Sequence, residues 1–253
     1  MTTILQNEQI APGIFRMVLH APDIARKAVP GQFVNIKIAD GAHILRRPIS
    51  ICDCDKVAET CTLVYEVRGD GTKWLSLQGE TTALDILGPL GNGFPLIGDT
   101  LLLIGGGIGV FPLLYTAKMH SAKKKIAVLG FRTKAQAVLL DEFSAVCEEV
   151  ILCTEDGSLG QKGFVTGPLL PLFTALPVAA VSACGPKAML RAVTELCLSH
   201  GIDPHVSMEE RMGCGFGACL VCACALKAEN GVAYAHCCTD GPVFLGSSIA
   251  WNA

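Results

Sequence analysis

The sequence predicts a multi-part chain: an antiparallel β-barrel, an α/β domain with a parallel sheet, and a small cysteine-rich domain. Three observations support this prediction. Short β-rich runs separated by Gly, Pro and Asp turns fill the first part. Apolar strands then alternate with helices, and cysteines crowd the last part. We place the domain boundaries at 1–98, 99–205 and 206–253.

The composition suits a folded protein. Of 253 residues, 51% are hydrophobic and 17% are charged, so the chain can bury a sizeable core. A net charge of −3 without a basic block argues against a nucleic-acid partner. The start lacks the basic head and apolar run of a signal peptide, so we expect a cytoplasmic protein. The apolar stretch 101–117 is too short for a bilayer and is broken by glycines, so we expect no membrane span.

The first part predicts a small barrel. In the run 31–38, Val34, Ile36 and Ile38 alternate with Asn35 and Lys37, as in a half-buried strand. Short strands at such spacing are typical of antiparallel barrels. Strand-like runs lie at 13–21, 31–38, 47–53, 60–67 and 83–90, with a helical turn at 71–77.

The second part predicts a parallel sheet with helices on both faces, because its strands lack polar alternation and helices separate them. Ligands of such sheets bind at the carboxyl ends of the strands. Strands are expected at 100–105, 124–131, 149–155, 177–185 and 203–209, and helices at 109–122, 134–147, 167–176 and 186–201.

A glycine-rich turn follows the first of these strands. Gly105, Gly106, Gly107 and Gly109 would let the backbone approach a pyrophosphate at a helix N-terminus. The turn departs from the spaced G-x-G-x-x-G fingerprint. Tight packing of the strand on the helix is therefore the alternative interpretation.

Two motifs of the first part suggest a second phosphate site. Arg47 in "RRPIS" can hold a diphosphate through paired hydrogen bonds. Gly71 and Thr72 in "GDGT" can offer donors at the start of a short helix. An arginine on a solvated strand face is the alternative, since either motif alone is weak.

The cysteine-rich end suggests a metal or redox centre, because clustered cysteines of a reducing compartment rarely form disulfides. Cys214, Cys219 and Cys222 have the spacing C-x₄-C-x₂-C, and Cys238 follows after fifteen residues. This is the plant-type [2Fe–2S] arrangement. Zinc is the competitor, although zinc sites usually pair two C-x₂-C knuckles. Most of the seven scattered cysteines are expected to be small buried residues: Cys52, Cys54, Cys61, Cys147, Cys153, Cys184 and Cys197.

The order of "PGQFV", "RRPIS", "GDGT", "GPLGNGF", "GGGIG" and "CGP" resembles that of the ferredoxin–NAD(P)⁺ reductase superfamily. The resemblance implies an FAD-binding barrel followed by an NAD(H)-binding domain. It implies that Gly71 and Thr72 lie at the flavin phosphates and that Gly105–Gly109 binds NAD(H). It also implies that Arg47, Pro48, Ile49 and Ser50 line the flavin, and that Cys184, Gly185 and Pro186 form the turn where nicotinamide meets flavin, with Cys184 as the catalytic position.

The segments "MEERMGCGFGACLVCACAL" and "CTDGPVF" closely resemble the electron-transfer subunits of NAD-linked, two-subunit dihydroorotate dehydrogenases. This resemblance selects Cys238 over Cys237 as the fourth ligand and leaves Cys224 as a packing residue. It implies an FMN-containing catalytic partner in a two-plus-two heterotetramer of pyrimidine biosynthesis. Electrons from that partner would cross the cluster to FAD and leave as a hydride to NAD⁺.

Two further expectations concern specificity. Glu155 and Asp156, at the end of the third parallel strand, would repel the 2′-phosphate of NADPH, so we expect NADH to be preferred, although Arg132 complicates the field. Within the enzymes, the rivals are a subunit of a sulfide dehydrogenase or of an NADH-dependent ferredoxin:NADP⁺ oxidoreductase, and a stand-alone reductase. A flavin-free scaffold with zinc is the non-enzyme rival.

Overall fold

The computed structural model describes residues 2–39, 41 and 43–253. In this part of the chain, one antiparallel sheet occupies the N-terminal region. Its strands are β1 (Thr2–Ala11), β2 (Ile14–His20), β3 (Phe33–Ile36), β4 (Arg47–Asp55), β5 (Thr60–Glu66), β6 (Ala83–Leu84) and β7 (Ile86–Leu90). Helices α1 (Pro22–Lys27) and α2 (Asp70–Ser76) lie between strands.

This sheet is a nearly closed barrel with the strand order β6-β1-β2-β5-β4-β3-β7. The two edge strands, β6 and β7, are separated only by Asp85, so the edges of the sheet meet. Val34, Ile36 and Leu63 fill the interior. The predicted barrel is confirmed, but β1 and α1 were not predicted. Most residues of β1 are polar and only Ile4 is buried, so the strand is defined by its pairing with β2 and not by an apolar alternation.

A second sheet has the order β11-β10-β9-β8-β12-β13-β16. Its strands are β8 (Thr100–Gly106), β9 (Lys124–Phe131), β10 (Glu149–Thr154), β11 (Gln161–Lys162), β12 (Ala180–Cys184), β13 (His205–Ser207) and β16 (Val243–Leu245). Its helices are α3 (Val110–Met119), α4 (Leu140–Ser144), α5 (Leu169–Ala175) and α6 (Lys187–Ser199). All neighbouring strands are parallel except β13 and β16.

The predicted parallel sheet with helices is confirmed, with one difference. The helix expected over 134–147 is a 3₁₀ turn followed by the short α4. Leu139 lies between them with φ +65, which a continuous α-helix does not allow.

The cysteine-rich end forms a hairpin of β14 (Ala223–Ala228) and β15 (Gly231–His236) and then contributes β16 to the parallel sheet. Four of its cysteines share one hydrophobic core with parallel-sheet residues such as Leu102 and Val128. These cysteines are Cys222, Cys224, Cys237 and Cys238. The exact division of the chain at 98 and 205 stays a prediction. In the described part of the chain, no helix is long and apolar enough to cross a membrane.

Candidate functional site

The structure brings together the two motifs that were assigned to flavin binding. Arg47 begins β4, and its guanidinium lies over Gly71 at the start of α2. A Cβ atom on Gly71 would stand 2.4 Å from Arg47 Nε, so only glycine leaves room for this side chain. Arg47 Nη1 donates to the Leu45 carbonyl at 2.8 Å, while Arg46 pairs with Asp85. Arg47 is therefore the arginine that faces the helix.

The Thr72 hydroxyl makes local hydrogen bonds. It accepts the backbone N–H groups of Arg68 and Gly69 and donates to the Gly69 carbonyl. The hydroxyl thus stabilises the turn before α2. The assignment of Gly71 and Thr72 to the flavin phosphates stays a prediction.

The remaining residues of "RRPIS" lie along β4 beside β3. Pro48 pairs with Asn35, Ile49 with Val34 and Ser50 with Phe33. Arg47 and Pro48 also line a cleft of about 570 Å³, whose opposite wall is 209–212, the segment just before the first clustered cysteine. The barrel motif and the cysteine-rich end therefore share one cleft.

The glycine-rich turn lies at the carboxyl edge of the parallel sheet, and its glycines differ in their surroundings. A Cβ on Gly109 would stand 2.3 Å from the Cys184 carbonyl oxygen, and one on Gly106 would stand 2.4 Å from Met189 Sδ. A Cβ on Gly105 would meet Val110 Cγ2 at 2.8 Å. Gly107 is exposed, has φ +55, and would have no atom within 4 Å of its Cβ. Three glycines thus serve close packing, and Gly107 alone faces open space.

The "CGP" turn lies next to this turn, because β12 pairs in parallel with β8 and Cys184 stands opposite Gly105. Gly185 and Pro186 complete the turn and lead into α6. The Cys184 residue keeps some exposed surface, yet its thiol lies deep. Burial raises the pKa of this thiol to about 12, although a hydrogen bond with Ser207 acts to lower it. Cys184 is therefore a neutral thiol at the carboxyl edge of the sheet.

Glu155 directly follows β10 at the same edge and is exposed. Its backbone N–H donates to the Phe131 carbonyl at 3.1 Å. The neighbouring Asp156 is engaged locally, since both the hydroxyl and the backbone N–H of Ser158 donate to it and lower the pKa of its carboxyl group. Of the two predicted acids, Glu155 is the freer one to face a ligand.

The six clustered thiols stand in three pairs. Cys222 Sγ and Cys238 Sγ are 3.2 Å apart. The backbone N–H of Cys214 donates to Cys219 Sγ at 3.3 Å, and that of Cys219 donates back to Cys214 Sγ at 3.4 Å. The third pair is Cys224 and Cys237, whose thiols hydrogen-bond to each other. The four cysteines predicted as ligands therefore form two of the pairs, and the two excluded cysteines form the third.

Backbone N–H groups converge on the sulfur of Cys214. The N–H groups of Phe216, Ala218 and Cys219 lie 3.3–3.4 Å from it. Burial acts to raise the pKa of Cys214, but the hydrogen bonds from Phe216 and Cys219 outweigh it and lower that pKa to about 6. The loop geometry thus favours a thiolate, the form that binds metal.

The two ligand pairs adjoin through the same loop. The Gly217 N–H donates to the Cys238 sulfur, which the nearby Cys214 also influences electrostatically. Gly215 and Gly217 have φ +82 and +86, a conformation that favours glycine. In the described residues no three His, Cys, Asp or Glu side chains converge on one ion position. The four cysteines predicted as ligands are arranged as two pairs instead.

Two barrel asparagines at this site were not singled out by sequence reasoning. Asn35 on β3 is fully buried, and its amide donates to the Cys214 carbonyl at 3.1 Å. The Asn92 side chain donates to the Asp240 carbonyl at 2.7 Å and accepts the Val243 N–H at 3.1 Å. The polar position of Asn35 in an alternating strand suggested a solvated face, so only the contact with a distant loop reveals its burial.

Known proteins resemble this chain both in its cysteine-rich end and over nearly its whole length. The family model "Iron-sulfur cluster binding domain of dihydroorotate dehydrogenase B" matches residues 209–250. The dihydroorotate dehydrogenase B (NAD(+)) electron transfer subunit of Caldanaerobacter subterraneus subsp. tengcongensis is 40% identical over 247 residues, which cover 97% of this chain and 96% of that protein. The subunit of the same name from Geobacillus sp. is 41% identical over 254 residues, with 98% and 96% covered.

Solved structures of flavin-dependent ferredoxin reductases share the fold of this chain. A chain of the NADH-dependent reduced ferredoxin-NADP oxidoreductase, from a study of flavin-based electron bifurcation, has a TM-score of 0.87 and 30% identity. The match covers 100% of this chain and 90% of that one. The ferredoxin reductase in carbazole 1,9a-dioxygenase has a TM-score of 0.69 and 20% identity over 81% of this chain and 67% of that one, which shows the fold alone.

Fold and cysteine pattern together define an oxidoreductase component of the ferredoxin-reductase class with an iron–sulfur cluster region. The chain belongs to the family of electron transfer subunits of NAD⁺-linked dihydroorotate dehydrogenase B. The family predicted from the sequence is thereby confirmed.

Proposed function

We propose that this electron transfer subunit holds FAD on the barrel, a [2Fe–2S] cluster on four cysteines, and NAD(H) at the carboxyl edge of the parallel sheet. It passes electrons from a dihydroorotate dehydrogenase catalytic subunit to NAD⁺. Bound flavin would supply the exchange between single electrons and a hydride, and a bound cluster would supply one-electron transfer. We place this activity in the cytoplasm.

The pairing of thiols is the observation that best supports the cluster. A [2Fe–2S] cluster takes two protein ligands on each of its two irons. Cys214 with Cys219 and Cys222 with Cys238 offer such pairs. The N–H groups directed at the Cys214 sulfur would stabilise its negative charge. Zinc sites usually pair two C-x₂-C knuckles, a spacing that these four cysteines do not have.

The flavin would be held by the residues around the Arg47 guanidinium. Arg47 and the Gly71 N–H are the groups that would bind its phosphates, and the Pro48–Ser50 edge of β4 would line its ring system. The cleft lined by 45–48 and 209–212 supports this assignment, since Arg47 and Pro48 form one of its walls. Thr72 would act indirectly, by holding the turn that presents Gly71.

The nicotinamide nucleotide would lie along the Gly107 and Cys184 turns. Gly107 supplies open backbone for a pyrophosphate, while Gly105, Gly106 and Gly109 keep the turn close to Cys184–Pro186. The deep, neutral Cys184 thiol would place no charge beside the reacting nicotinamide. Glu155 would disfavour a 2′-phosphate by like charge, which supports NADH over NADPH.

An apolar surface beside the cysteines is where we place the catalytic partner. Phe216, Leu220 and Val221 are each more than half exposed on the loop that carries Cys214 and Cys219. Exposed apolar groups of this kind mark interaction sites. Docking an FMN-containing catalytic subunit here would bring its electrons directly to the cluster ligands. The two-plus-two stoichiometry stays a prediction.

The structural match to the NADH-dependent reduced ferredoxin-NADP oxidoreductase favours a second candidate, a subunit of such a complex. The identity of the partner separates the two. Our proposal requires a catalytic subunit with a dihydroorotate site, whereas the alternative requires a larger flavin and iron–sulfur subunit.

Anaerobic co-purification tests the proposal. The chain would be isolated with its bound proteins, assayed for FAD, iron and sulfide, and its partner identified by mass spectrometry. We expect equal iron and sulfide, one flavin type on this chain, and dihydroorotate-dependent reduction of NAD⁺ by the complex. The proposal would be contradicted by a colourless protein, by a chain that contains zinc and no iron, or by a partner without dihydroorotate dehydrogenase activity.

A further inference from the structure

A buried amide joins the barrel to the first cysteine loop. Asn35 is 0% exposed, and its Nδ2 donates to the carbonyl of Cys214, a residue far away in the chain. A Cβ on Gly215 would stand 2.4 Å from the same Nδ2, so the loop passes directly over this amide. The contact therefore depends on both the asparagine and the glycine.

The side-chain oxygen of Asn35 makes this buried amide unfavourable for the stability of the fold. Its Oδ1 is buried and has no hydrogen-bond partner among the described residues. A buried acceptor without a partner destabilises a fold because it has lost its hydrogen bond to water, whereas a leucine of similar shape would avoid that loss. Internal packing alone therefore does not account for an amide at this position, but a requirement to hold Cys214 does.

Asn92 plays the corresponding part for the second cysteine segment. Its backbone N–H donates to the Gly241 carbonyl, and its side chain bonds to Asp240 and Val243, just after Cys238. These bonds come from the turn after β7, on the same barrel. Unlike Asn35, Asn92 is exposed, so its bonds compete with water.

We propose that Asn35 is a positioning residue for the cluster. Its amide fixes the backbone of Cys214 against β3, so that the flavin-binding barrel sets where this thiol stands. The downstream loop then orients the sulfur through the N–H groups of Phe216, Ala218 and Cys219. This inference rests on the proposed cluster site, and it deepens it by coupling that site to the barrel.

Two variants test the contact from its two sides, both in the purified chain with its bound groups. Asn35→Leu removes the donor at similar volume, and Gly215→Ala forces the loop away from the amide. Hydrogen exchange of the 214–219 backbone should become roughly fivefold faster in each, as expected for loss of one buried hydrogen bond. The EPR spectrum of the dithionite-reduced cluster should change, and NADH-driven cluster reduction should slow by about tenfold.

Two matched variants serve as controls. Asn7→Leu removes an amide of the same barrel that donates to Leu75 and Gln78, and it should leave exchange over 214–219 unchanged. Asn92→Ala should speed exchange over 238–243 and spare 214–219. These controls distinguish a general destabilisation of the barrel from loss of the hydrogen bond between Asn35 and Cys214.

The outcomes separate the inference from the proposed function. Parent-like exchange and EPR spectra in both Asn35→Leu and Gly215→Ala would overturn the inference while leaving the cluster assignment intact. A parent chain without iron would overturn the cluster assignment. The hydrogen-exchange measurement would still show whether the Asn35 amide holds the Cys214 backbone. If Asn35→Leu does not fold, Asn35→Ala decides, because it removes the same donor without adding volume and without straining the backbone of the 214–219 loop.

Discussion

The parallel sheet and the cysteine-bearing loop are held together in different ways. Leu101, Leu102, Leu103 and Ile104 on β8 are at most 1% exposed, and helices or other elements cover both faces of this strand. The segment 209–221 contains no helix or strand and carries exposed apolar side chains. Its shape depends on N–H groups directed at sulfur and on the Asn35 amide.

This difference shows how a small segment can carry a demanding site. A stretch of this size cannot bury enough apolar surface to fold by itself. The barrel positions it, and the parallel sheet buries Cys222 and Cys238, which follow it in the chain. The proposed cluster would add further stability. The sheet, in contrast, is stabilised by its own core. Four pairs of variants test these regions and the sites they carry.

The largest effect is expected from the fourth ligand. Cys238→Ser should lose the cluster iron, because removal of a ligand exceeds the roughly 100-fold effect of removing an outer-shell partner. Cys237→Ser should retain the iron, since that thiol pairs with Cys224. Iron and sulfide assays on both variants check this. Iron loss in Cys237→Ser with retention in Cys238→Ser would reverse our assignment of the ligands.

Next in size is a cavity in the sheet. Leu103→Ala should lower the free energy of unfolding by about 2–5 kcal/mol while iron per folded molecule stays constant. The matched change in the loop is Phe216→Ala, which removes a side chain that is 59% exposed. It should alter stability by less than about 0.5 kcal/mol yet weaken binding of the catalytic subunit. Denaturant titration measures the free energy of unfolding, and a binding assay measures affinity for the catalytic subunit. Equal destabilisation by Leu103→Ala and Phe216→Ala would contradict the difference between the sheet and the loop.

The glycine-rich turn offers a smaller effect that separates packing from ligand contact. Gly109→Ala must displace the Cys184 carbonyl, so it should lower stability by about 1–3 kcal/mol and raise the KM for NADH. Gly107→Ala adds a methyl group to open space and meets no neighbour, but φ +55 is strained for alanine, so it should lower stability by about 1–2 kcal/mol and raise KM. Steady-state kinetics and thermal melts compare them. An unchanged KM in Gly107→Ala would remove this residue from the proposed nucleotide site.

The smallest effect concerns nucleotide choice. Glu155→Gln removes one exposed negative charge, which should narrow the preference for NADH over NADPH by roughly threefold, as for one Coulomb contact in water. Glu149→Gln, at the opposite end of the same strand, is the matched control. The ratio of kcat/KM for the two nucleotides gives the readout. A preference unaffected by Glu155→Gln would assign selectivity to other residues.

Local patterns in the sequence were sufficient to predict the alternation of strands and helices and the spacing of the ligands. Strands and helices follow from local periodicity, and C-x₄-C-x₂-C is a property of one continuous segment. The sequence did not reveal β1, whose polar residues become a strand only by pairing with β2. Motif order also placed Arg47 with Gly71 correctly in one region, since both belong to a compact barrel.

The tertiary structure alone decided which distant groups meet. Cys222 stands beside Cys238, Asn35 is buried under the Cys214 loop, and Gly107 is the one glycine of its turn with open space. None of these facts follows from spacing, because each depends on contacts between segments far apart in the chain. Local patterns predict elements, whereas the packing of the barrel, the parallel sheet and the cysteine-rich end positions the side chains that do the chemistry.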